Sequence, residues 1–216
     1  MRYLVVGLRL AAALLGVVAI LATLIDTASR ATVNPFNFFG FFTMQSNIIW
    51  IVVIVITAVV ELAGRTQSTT LLVSRASATT YIILVGAIYN TLLAGLEGGV
   101  ALAWANSVVH IVLPIYGLLD WLLIADRPAV AWKRIWVSLL YPSVWMVVVL
   151  IRGASDGWVP YPFFDPSTGY GVVAAYCFGI AAVTIVTAAI VWALSRVRII
   201  GLSEAVSLNH RPPLLM

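Results

Sequence analysis

The sequence predicts an all-α membrane protein, a bundle of six transmembrane helices that forms a single domain over residues 1–216. Of its 216 residues, 62% are hydrophobic and only 9% are charged, whereas soluble domains contain about 25% charged residues. The long uncharged stretches match the roughly 20 residues that a helix needs to cross a hydrocarbon core about 30 Å thick. This composition and this spacing indicate that lipid surrounds the helices.

Six apolar stretches account for most of the chain. The first has the basic start and the small residues near Ala22 that a cleaved signal peptide would have. Its apolar run is longer than the roughly 7–15 residues of such peptides, which favours a retained helix. The six predicted helices cover residues about 4–25, 36–60, 76–95, 100–122, 135–151 and 170–195.

Local signals mark the starts of two helices. Asn34 is a favoured capping residue and Pro35 suits the first helical position, so the second helix is predicted to begin near Pro35. The glycine pair at 98–99 interrupts the apolar pattern, so the fourth helix is predicted to begin near Val100.

The basic residues predict the orientation of the bundle. If the N-terminus is cytoplasmic, all but two of the 12 Lys and Arg residues fall in cytoplasmic segments, and the outer segments hold only Arg30 and Arg152. This bias matches the positive-inside rule and predicts that both termini are cytoplasmic. The inner residues are Arg2, Arg9, Arg65, Arg75, Arg127, Lys133, Arg134, Arg196, Arg198 and Arg211.

Composition also argues against several functions. The basic residues are spread among short loops rather than gathered in one patch, so no nucleic acid partner is predicted. Two histidines, His110 and His210, and one cysteine, Cys177, are too few for a zinc site or a bis-histidine haem. No GxSxG or GxxxxGK[ST] motif occurs. We therefore expect neither a metal nor another cofactor.

The longest predicted outer loop covers residues 153–168 and is rich in aromatic side chains. One interpretation is an interfacial belt that anchors the protein at the membrane surface. The alternative is a lid over a lipid-facing pocket. The aromatic residues of this loop are Trp158, Tyr161, Phe163 and Phe164.

His110 is an ionisable residue at predicted membrane depth, where such residues are rare and are usually functional or paired. Asn106 and Ser107 lie one turn before it on the same helix face. Pro114 follows four residues later and has no N–H for the carbonyl of His110, so the helix is expected to open there. A structural histidine, hydrogen-bonded between helices, is the competing interpretation.

The second helix carries a polar face of its own, formed by Thr43, Ser46 and Asn47. These residues fall within about 60° on a helical wheel, with Gly40 and Trp50 on the same side. Serine and threonine in membrane helices often bond to their own backbone and mediate packing, which is the structural alternative for this face.

Depth favours a contact between Thr43 and His110. Counted from Pro35 and Val100, the two residues lie about 12 Å and about 15 Å along their helices. Both helices are predicted to run inward from the outer face, so the residues lie at nearly equal depth. Burial disfavours an imidazolium, so His110 is expected to be neutral and able to accept the hydroxyl proton of an attacking Thr43.

The other polar residues of the predicted helices divide into two groups. Asp120 lies about 15 Å along the helix from His110, so it is not a triad partner. We expect its side chain either to extend to the membrane interface or to pair with Arg127 or Arg134. The candidates for orienting the imidazole or stabilising an oxyanion, which the sequence does not rank, are Ser46, Asn47, Asn90 and Asn106.

Three segments resemble, in the same order, segments of the androgen-induced gene family. They are FFTMQSN, NSVVHIVLP and GWVPYPFFDP. The resemblance spans the whole chain and is to the bacterial, six-helix, proline-containing branch. The animal members are transmembrane threonine hydrolases that cleave fatty acid esters of hydroxy fatty acids. The resemblance implies that Thr43 is the catalytic threonine and His110 the catalytic histidine.

The expected function is hydrolysis of a lipid ester that enters from the outer leaflet, with Thr43 as nucleophile, His110 as general base and membrane lipids as partners. The alternative is a non-enzymatic lipid-binding or partner-binding membrane protein. A small transporter is disfavoured because no inverted repeat is visible. Eleven arginines against one lysine suggest a GC-rich genome, so a bacterial plasma membrane is expected.

Overall fold

The computed structural model describes residues 1–95 and 102–201. The described residues are mainly helical, and they contain no β-strand beyond an isolated bridge between Ile124 and Ile200. Six helices are long and apolar enough to cross a membrane, which confirms the predicted all-α architecture. They are α1 (Arg2–Arg30), α2 (Phe42–Leu62), α3 (Thr69–Leu93), α4 (Ala103–Leu123), α5 (Trp132–Ser155) and α6 (Tyr170–Leu194).

Helix α3 lies at the centre of the bundle. It packs against α2, α4, α5 and α6, whereas α1 packs against α2 and α4. Small residues such as Ala76 and Ala78, both fully buried, let neighbouring backbones approach α3 closely. A β-carbon on Gly86 would lie only 2.8 Å from Cβ of Pro114 on α4. The spacing of α3 and α4 therefore depends on a glycine at this position.

Helix α3 begins earlier than predicted. The Ser68 side chain accepts a hydrogen bond from the Leu71 N–H at 3.2 Å and caps the helix. The prediction placed this helix at about residues 76–95, after Arg75. Arg75 is buried and paired with a carboxylate. The predicted start of the fourth helix near Val100 lies outside the described residues, which resume before Ala103.

The predicted start of the second helix at Pro35 is wrong. Asn34 does cap a helix there, but that helix is only the single turn Pro35–Phe38. The helical turn then ends, and α2 begins at Phe42. The break lies at Gly40, whose carbonyl accepts a hydrogen bond from the Trp145 indole N–H at 2.8 Å. This long-range contact cannot be read from local sequence signals.

A network of buried ion pairs joins the first four helices. Arg9 of α1 contacts Asp120 of α4 at 2.8 Å and Glu61 of α2 at 2.5 Å. Arg75 of α3 contacts Asp120 at 2.7 Å, and both arginines contact Asp126, in the loop after α4, at 2.7 Å. These five residues are called the ionic cluster below.

The prediction that Asp120 pairs with Arg127 or Arg134 is wrong. Asp120 pairs with Arg9 and Arg75, which reach it from inside the bundle. Arg127 instead donates to backbone carbonyls at the end of α4. The reason is burial, since a guanidinium that lies between helices in hydrocarbon needs a carboxylate within reach.

Asp126, the member of the ionic cluster that lies outside the membrane-spanning helices, is ionised at neutral pH. Burial alone would raise the pKa of Asp126, but the charges and hydrogen bonds of Arg75 and Arg9 lower it to about 2. A lowered pKa stabilises the fold above the ordinary Asp value of about 3.9. That contribution is lost as the pH falls towards 2.

We expect Asp120→Asn to lower the free energy of unfolding by about 1–3 kcal/mol, because it removes one of the two carboxylates that the buried guanidinium groups of Arg9 and Arg75 share. Asp26→Asn is the matched control, since Asp26 pairs with Arg30 at the surface and such pairs contribute less than about 1 kcal/mol. Thermal unfolding of the purified protein in detergent measures both. Equal losses would contradict a structural role for the ionic cluster.

Candidate functional site

Thr43 and His110 form the centre of the candidate site. Thr43 is the second residue of α2, and His110 lies in a π-helical segment of α4, Val108–Val112. The Thr43 Oγ1 lies 3.2 Å from His110 Nε2, and each residue is only 7% exposed. The predicted contact is therefore confirmed. The two helix starts on which the prediction was based are not confirmed. Helix α2 begins at Phe42 rather than at Pro35, and Val100 lies outside the described residues.

The π-helical segment sets the tautomer of His110. In this segment the N–H of Leu113 donates to the carbonyl of Val108, five residues back rather than four. The Nδ1 atom of His110 lies 3.1 Å from the carbonyl oxygen of Asn106. A carbonyl oxygen only accepts, so Nδ1 carries the proton and Nε2 presents its lone pair to the Thr43 hydroxyl.

Pro114 frees the carbonyl of His110, as predicted, and Asn90 binds it. The Asn90 side-chain amide donates to this carbonyl at 3.2 Å and to the carbonyl of Gly86 at 2.7 Å. Asn90 is therefore a backbone-binding residue that fixes the histidine segment against α3. It does not contact the imidazole ring.

Asn47 connects the two elements that carry the reactive side chains. Its side-chain amide donates to the carbonyl of Thr43 at 2.8 Å and to the carbonyl of Val109 at 3.3 Å. Asn47 is fully buried, so these bonds are sheltered from water. Ser46 is also fully buried, and its hydroxyl has no hydrogen-bond partner among the described residues.

Tyr89 is a site residue that the sequence analysis missed. Its ring stacks on the imidazole of His110, with centroids 3.8 Å apart and planes inclined by 21°. Its hydroxyl accepts a hydrogen bond from the Asn106 side chain at 2.5 Å. Asn106 therefore acts twice, holding Tyr89 through its side chain and His110 through its backbone. The sequence signal that could have identified Tyr89 is the neighbouring Asn90, because polar residues at membrane depth tend to lie in one site.

The outer loop brings Tyr161 to the threonine. Its hydroxyl oxygen lies 3.4 Å from both the backbone nitrogen and Oγ1 of Thr43. Phe163 stacks on the Tyr161 ring and also faces the cavity. Trp158 lies apart from the cavity lining, with its ring 4.2 Å from the guanidinium of Arg152. That the loop acts as a lid stays a prediction.

An apolar cavity lies beside Thr43, with an empty volume of about 470 Å³. Within the described residues, the side chains that line it include no charged group. They come from α2, α3, α5, α6 and the outer loop. The lining residues are Phe42, Thr43, Leu84, Val85, Ile88, Tyr89, Leu93, Pro142, Trp145, Met146, Tyr161, Phe163, Phe164 and Ile180.

A second hollow, the α3–α6 groove, adjoins this cavity and shares Ile88 and Ile180 with it. Its empty volume is about 710 Å³, and most of its lining residues lie on the outer surface of the bundle. Both walls belong to membrane-spanning helices. The groove therefore lies next to the cavity, on the outer surface of the bundle. It is lined by Ile88, Thr91, Leu92, Ala175, Tyr176, Gly179, Ile180 and Val183.

The candidate site and the ionic cluster lie at opposite ends of the bundle. Thr43 and Glu61 are 18 residues apart on α2, which corresponds to about 27 Å along the helix. On α4, Asp120 is ten residues from His110, about 15 Å along the helix, so the charges of the ionic cluster are not in contact with Thr43 or His110. Orientation of His110 depends on neutral groups, chiefly the Asn106 carbonyl and the Tyr89 ring.

Comparison with known proteins gives no match, whether with protein-family models, curated proteins or solved structures. The functional interpretation therefore depends on the contacts described above. A hydroxyl facing the free nitrogen of an oriented imidazole is the arrangement of an activated nucleophile.

We expect neutral His110 to carry its proton on Nδ1. Nitrogen NMR of protein labelled at histidine distinguishes the two tautomers, and His210→Ala removes the only other histidine signal. Asn106→Ala should leave the tautomer unchanged, because the accepting group is the backbone carbonyl. A ring protonated on Nε2 would contradict the orientation assigned to His110.

Proposed function

We propose that the protein is a membrane-embedded lipid ester hydrolase in which Thr43 is the nucleophile and His110 the general base. The supporting observation is the 3.2 Å contact between Thr43 Oγ1 and His110 Nε2 at the edge of an apolar cavity. A threonine hydroxyl needs an adjacent base to attack a carbonyl, and the imidazole meets that requirement.

In the proposed reaction, Thr43 Oγ1 attacks the ester carbonyl carbon while its proton passes to His110 Nε2. The tetrahedral intermediate collapses, the alcohol oxygen leaves with the proton from Nε2, and an acyl-threonine ester remains. Water then attacks this ester and gives a proton to Nε2. Collapse releases the carboxylic acid and returns the proton to Thr43.

The Asn106 carbonyl takes the orienting position that a carboxylate holds in many hydrolases. It accepts the Nδ1 hydrogen at 3.1 Å and keeps Nε2 facing Thr43 throughout the cycle. A neutral carbonyl stabilises the imidazolium less than a carboxylate would, but it avoids placing a charge in the apolar site.

The substrate we propose is a lipid ester with a long apolar acyl chain. The cavity beside Thr43 is lined mainly by apolar and aromatic residues, with no charged group among those that the structure describes, which suits hydrocarbon. The resemblance of three segments to the androgen-induced gene family suggests fatty acid esters of hydroxy fatty acids as substrates.

Thr43→Ala and His110→Ala should each reduce hydrolysis of a long-chain ester by at least roughly 1,000-fold, because residues that act as a unit lose most of the activity when either is removed. Thr43→Ser keeps a hydroxyl and should retain part of the rate. Thr57→Ala is the matched control, since Thr57 is a buried threonine of α2 that bonds only to the Val53 carbonyl. Purified protein in detergent or liposomes, with product quantified by mass spectrometry, measures these rates.

A non-enzymatic lipid-binding protein is the second candidate, favoured by one observation. The side-chain amides of Asn47 and Asn90 donate to backbone carbonyls and link neighbouring helices, which is what residues with a purely structural role would do. In that case Thr43→Ala should lower the melting temperature. A folded, inactive Thr43→Ala protein supports the hydrolase, whereas full activity of this variant would exclude the mechanism.

We further propose that the protein lies in a bacterial plasma membrane with both termini in the cytoplasm, as the distribution of basic residues predicts. The candidate site would then lie in the outer half of the membrane. In a Cys177→Ser background, a Ser167→Cys variant should react with an impermeant maleimide on intact cells. A Lys133→Cys variant should react only after permeabilisation, and the reverse result would contradict this orientation.

A further inference from the structure

The hydrogen bonds around Thr43 run in one direction. The Thr43 hydroxyl donates to His110 Nε2, because Nδ1 holds the ring proton, so Oγ1 is left with lone pairs that can accept. The Tyr161 hydroxyl faces Oγ1 and can donate to it, while its own oxygen accepts from the Thr43 N–H. Tyr161 is therefore the next hydrogen-bonding group after the proposed nucleophile.

The contacts of the Tyr161 hydroxyl are long. Both measure 3.4 Å, whereas O–H to O hydrogen bonds are usually about 2.7–2.8 Å. Long contacts of this kind are weak, so they exchange easily for a shorter bond with a charged oxygen. The resting arrangement thus leaves two donors, the phenol O–H and the Thr43 N–H, without a strong acceptor.

The spacing of these two donors suits a single oxygen atom. The Thr43 nitrogen and the Tyr161 hydroxyl oxygen are 3.4 Å apart. An oxygen about 2.9 Å from each completes a triangle with ordinary hydrogen-bond lengths. Both residues line the apolar cavity, so an ester carbonyl that reaches Thr43 from the cavity lies next to both donors.

Aromatic packing holds the Tyr161 ring in place. Phe163 stacks on it with centroids 5.3 Å apart, and Phe41 meets it edge to face at 5.8 Å. Trp145, whose indole binds the Gly40 carbonyl before α2, packs at 6.0 Å. A donor fixed in advance costs no reorganisation when charge develops on the substrate.

Burial raises the pKa of the Tyr161 hydroxyl above its ordinary value. The phenol therefore stays protonated at neutral pH and keeps the hydrogen that a donor needs. No transfer of this proton is required at any step.

We propose that Tyr161 is a catalytic residue whose hydroxyl, with the Thr43 N–H, binds the ester carbonyl oxygen and stabilises the negative charge that develops on it. This inference rests on the proposed hydrolase function. As the bond between Thr43 Oγ1 and the carbonyl carbon forms, the π electrons of the carbonyl move to its oxygen, which accepts both hydrogen bonds. When the alcohol leaves, those electrons return and re-form the carbonyl.

Tyr161→Phe tests this role because it removes only the hydroxyl and keeps the packed ring. We expect kcat to fall about 100- to 1,000-fold, the loss typical for one oxyanion donor. KM should change little, since the cavity keeps its shape. Tyr170→Phe is the matched control, because Tyr170 is exposed at the start of α6 and its loss should leave kcat unchanged.

Ligand affinities separate a catalytic role from a structural one. A long-chain trifluoromethyl ketone forms an adduct with Thr43 that carries an oxyanion, whereas an alcohol of the same chain length does not. Tyr161→Phe should weaken the ketone by a factor similar to the loss of kcat and leave alcohol binding unchanged. Equal weakening of both ligands would mean that Tyr161 only shapes the cavity, which overturns the proposal.

Two further results keep the proposals distinguishable. Hydrolysis that survives Thr43→Ala would overturn the hydrolase itself, whereas loss in Thr43→Ala with an unchanged Tyr161→Phe would overturn only the Tyr161 role. A structure of the unaltered protein with the ketone bound provides an independent measure. The adduct oxygen should lie about 2.7–3.1 Å from the Tyr161 hydroxyl, and a separation that excludes a hydrogen bond would contradict the assignment.

Discussion

The bilayer core contains no water, so every carbonyl that a helix break releases must find a donor within the protein. This constraint explains the candidate site. The π-helical segment and Pro114 release carbonyls around His110, and side chains of the protein bind them: Asn90 binds the His110 carbonyl, Asn47 binds the preceding one, that of Val109, and the imidazole binds that of Asn106. The same network of hydrogen bonds therefore satisfies the freed backbone carbonyls and orients the imidazole ring of His110.

The two polar regions of the bundle use different physics. At one end, the ionic cluster joins the four helices α1, α2, α3 and α4 through buried ion pairs, in which each charge depends on its partner because water is excluded. The candidate site at the other end uses neutral hydrogen bonds and aromatic stacking. Helix α3 takes part in both regions, with Arg75 in the ionic cluster and Tyr89 and Asn90 at the candidate site.

The sequence was sufficient to predict the architecture, because six apolar stretches of membrane length indicate six transmembrane helices. It also predicted the contact between Thr43 and His110, since polar residues in such stretches are few. It could not locate the start of α2, which depends on the Trp145 indole about 100 residues away, or the partners of Asp120, which come from other helices. The sequence suggested only an interfacial belt or a lid for Tyr161, because only tertiary contacts show where its hydroxyl points.

The α3–α6 groove lies between two membrane-spanning helices and meets the cavity at Ile88 and Ile180, so a route from the groove into the cavity would run sideways rather than from the aqueous phase. A molecule that follows this route never leaves the plane of the membrane, so the bilayer itself is the reservoir from which it is drawn. Occupancy of the cavity would then depend on the mole fraction of the lipid among its neighbours rather than on its concentration in bulk water. Dilution with inert phospholipid, at constant total volume, would act on this protein as dilution with buffer acts on a soluble one.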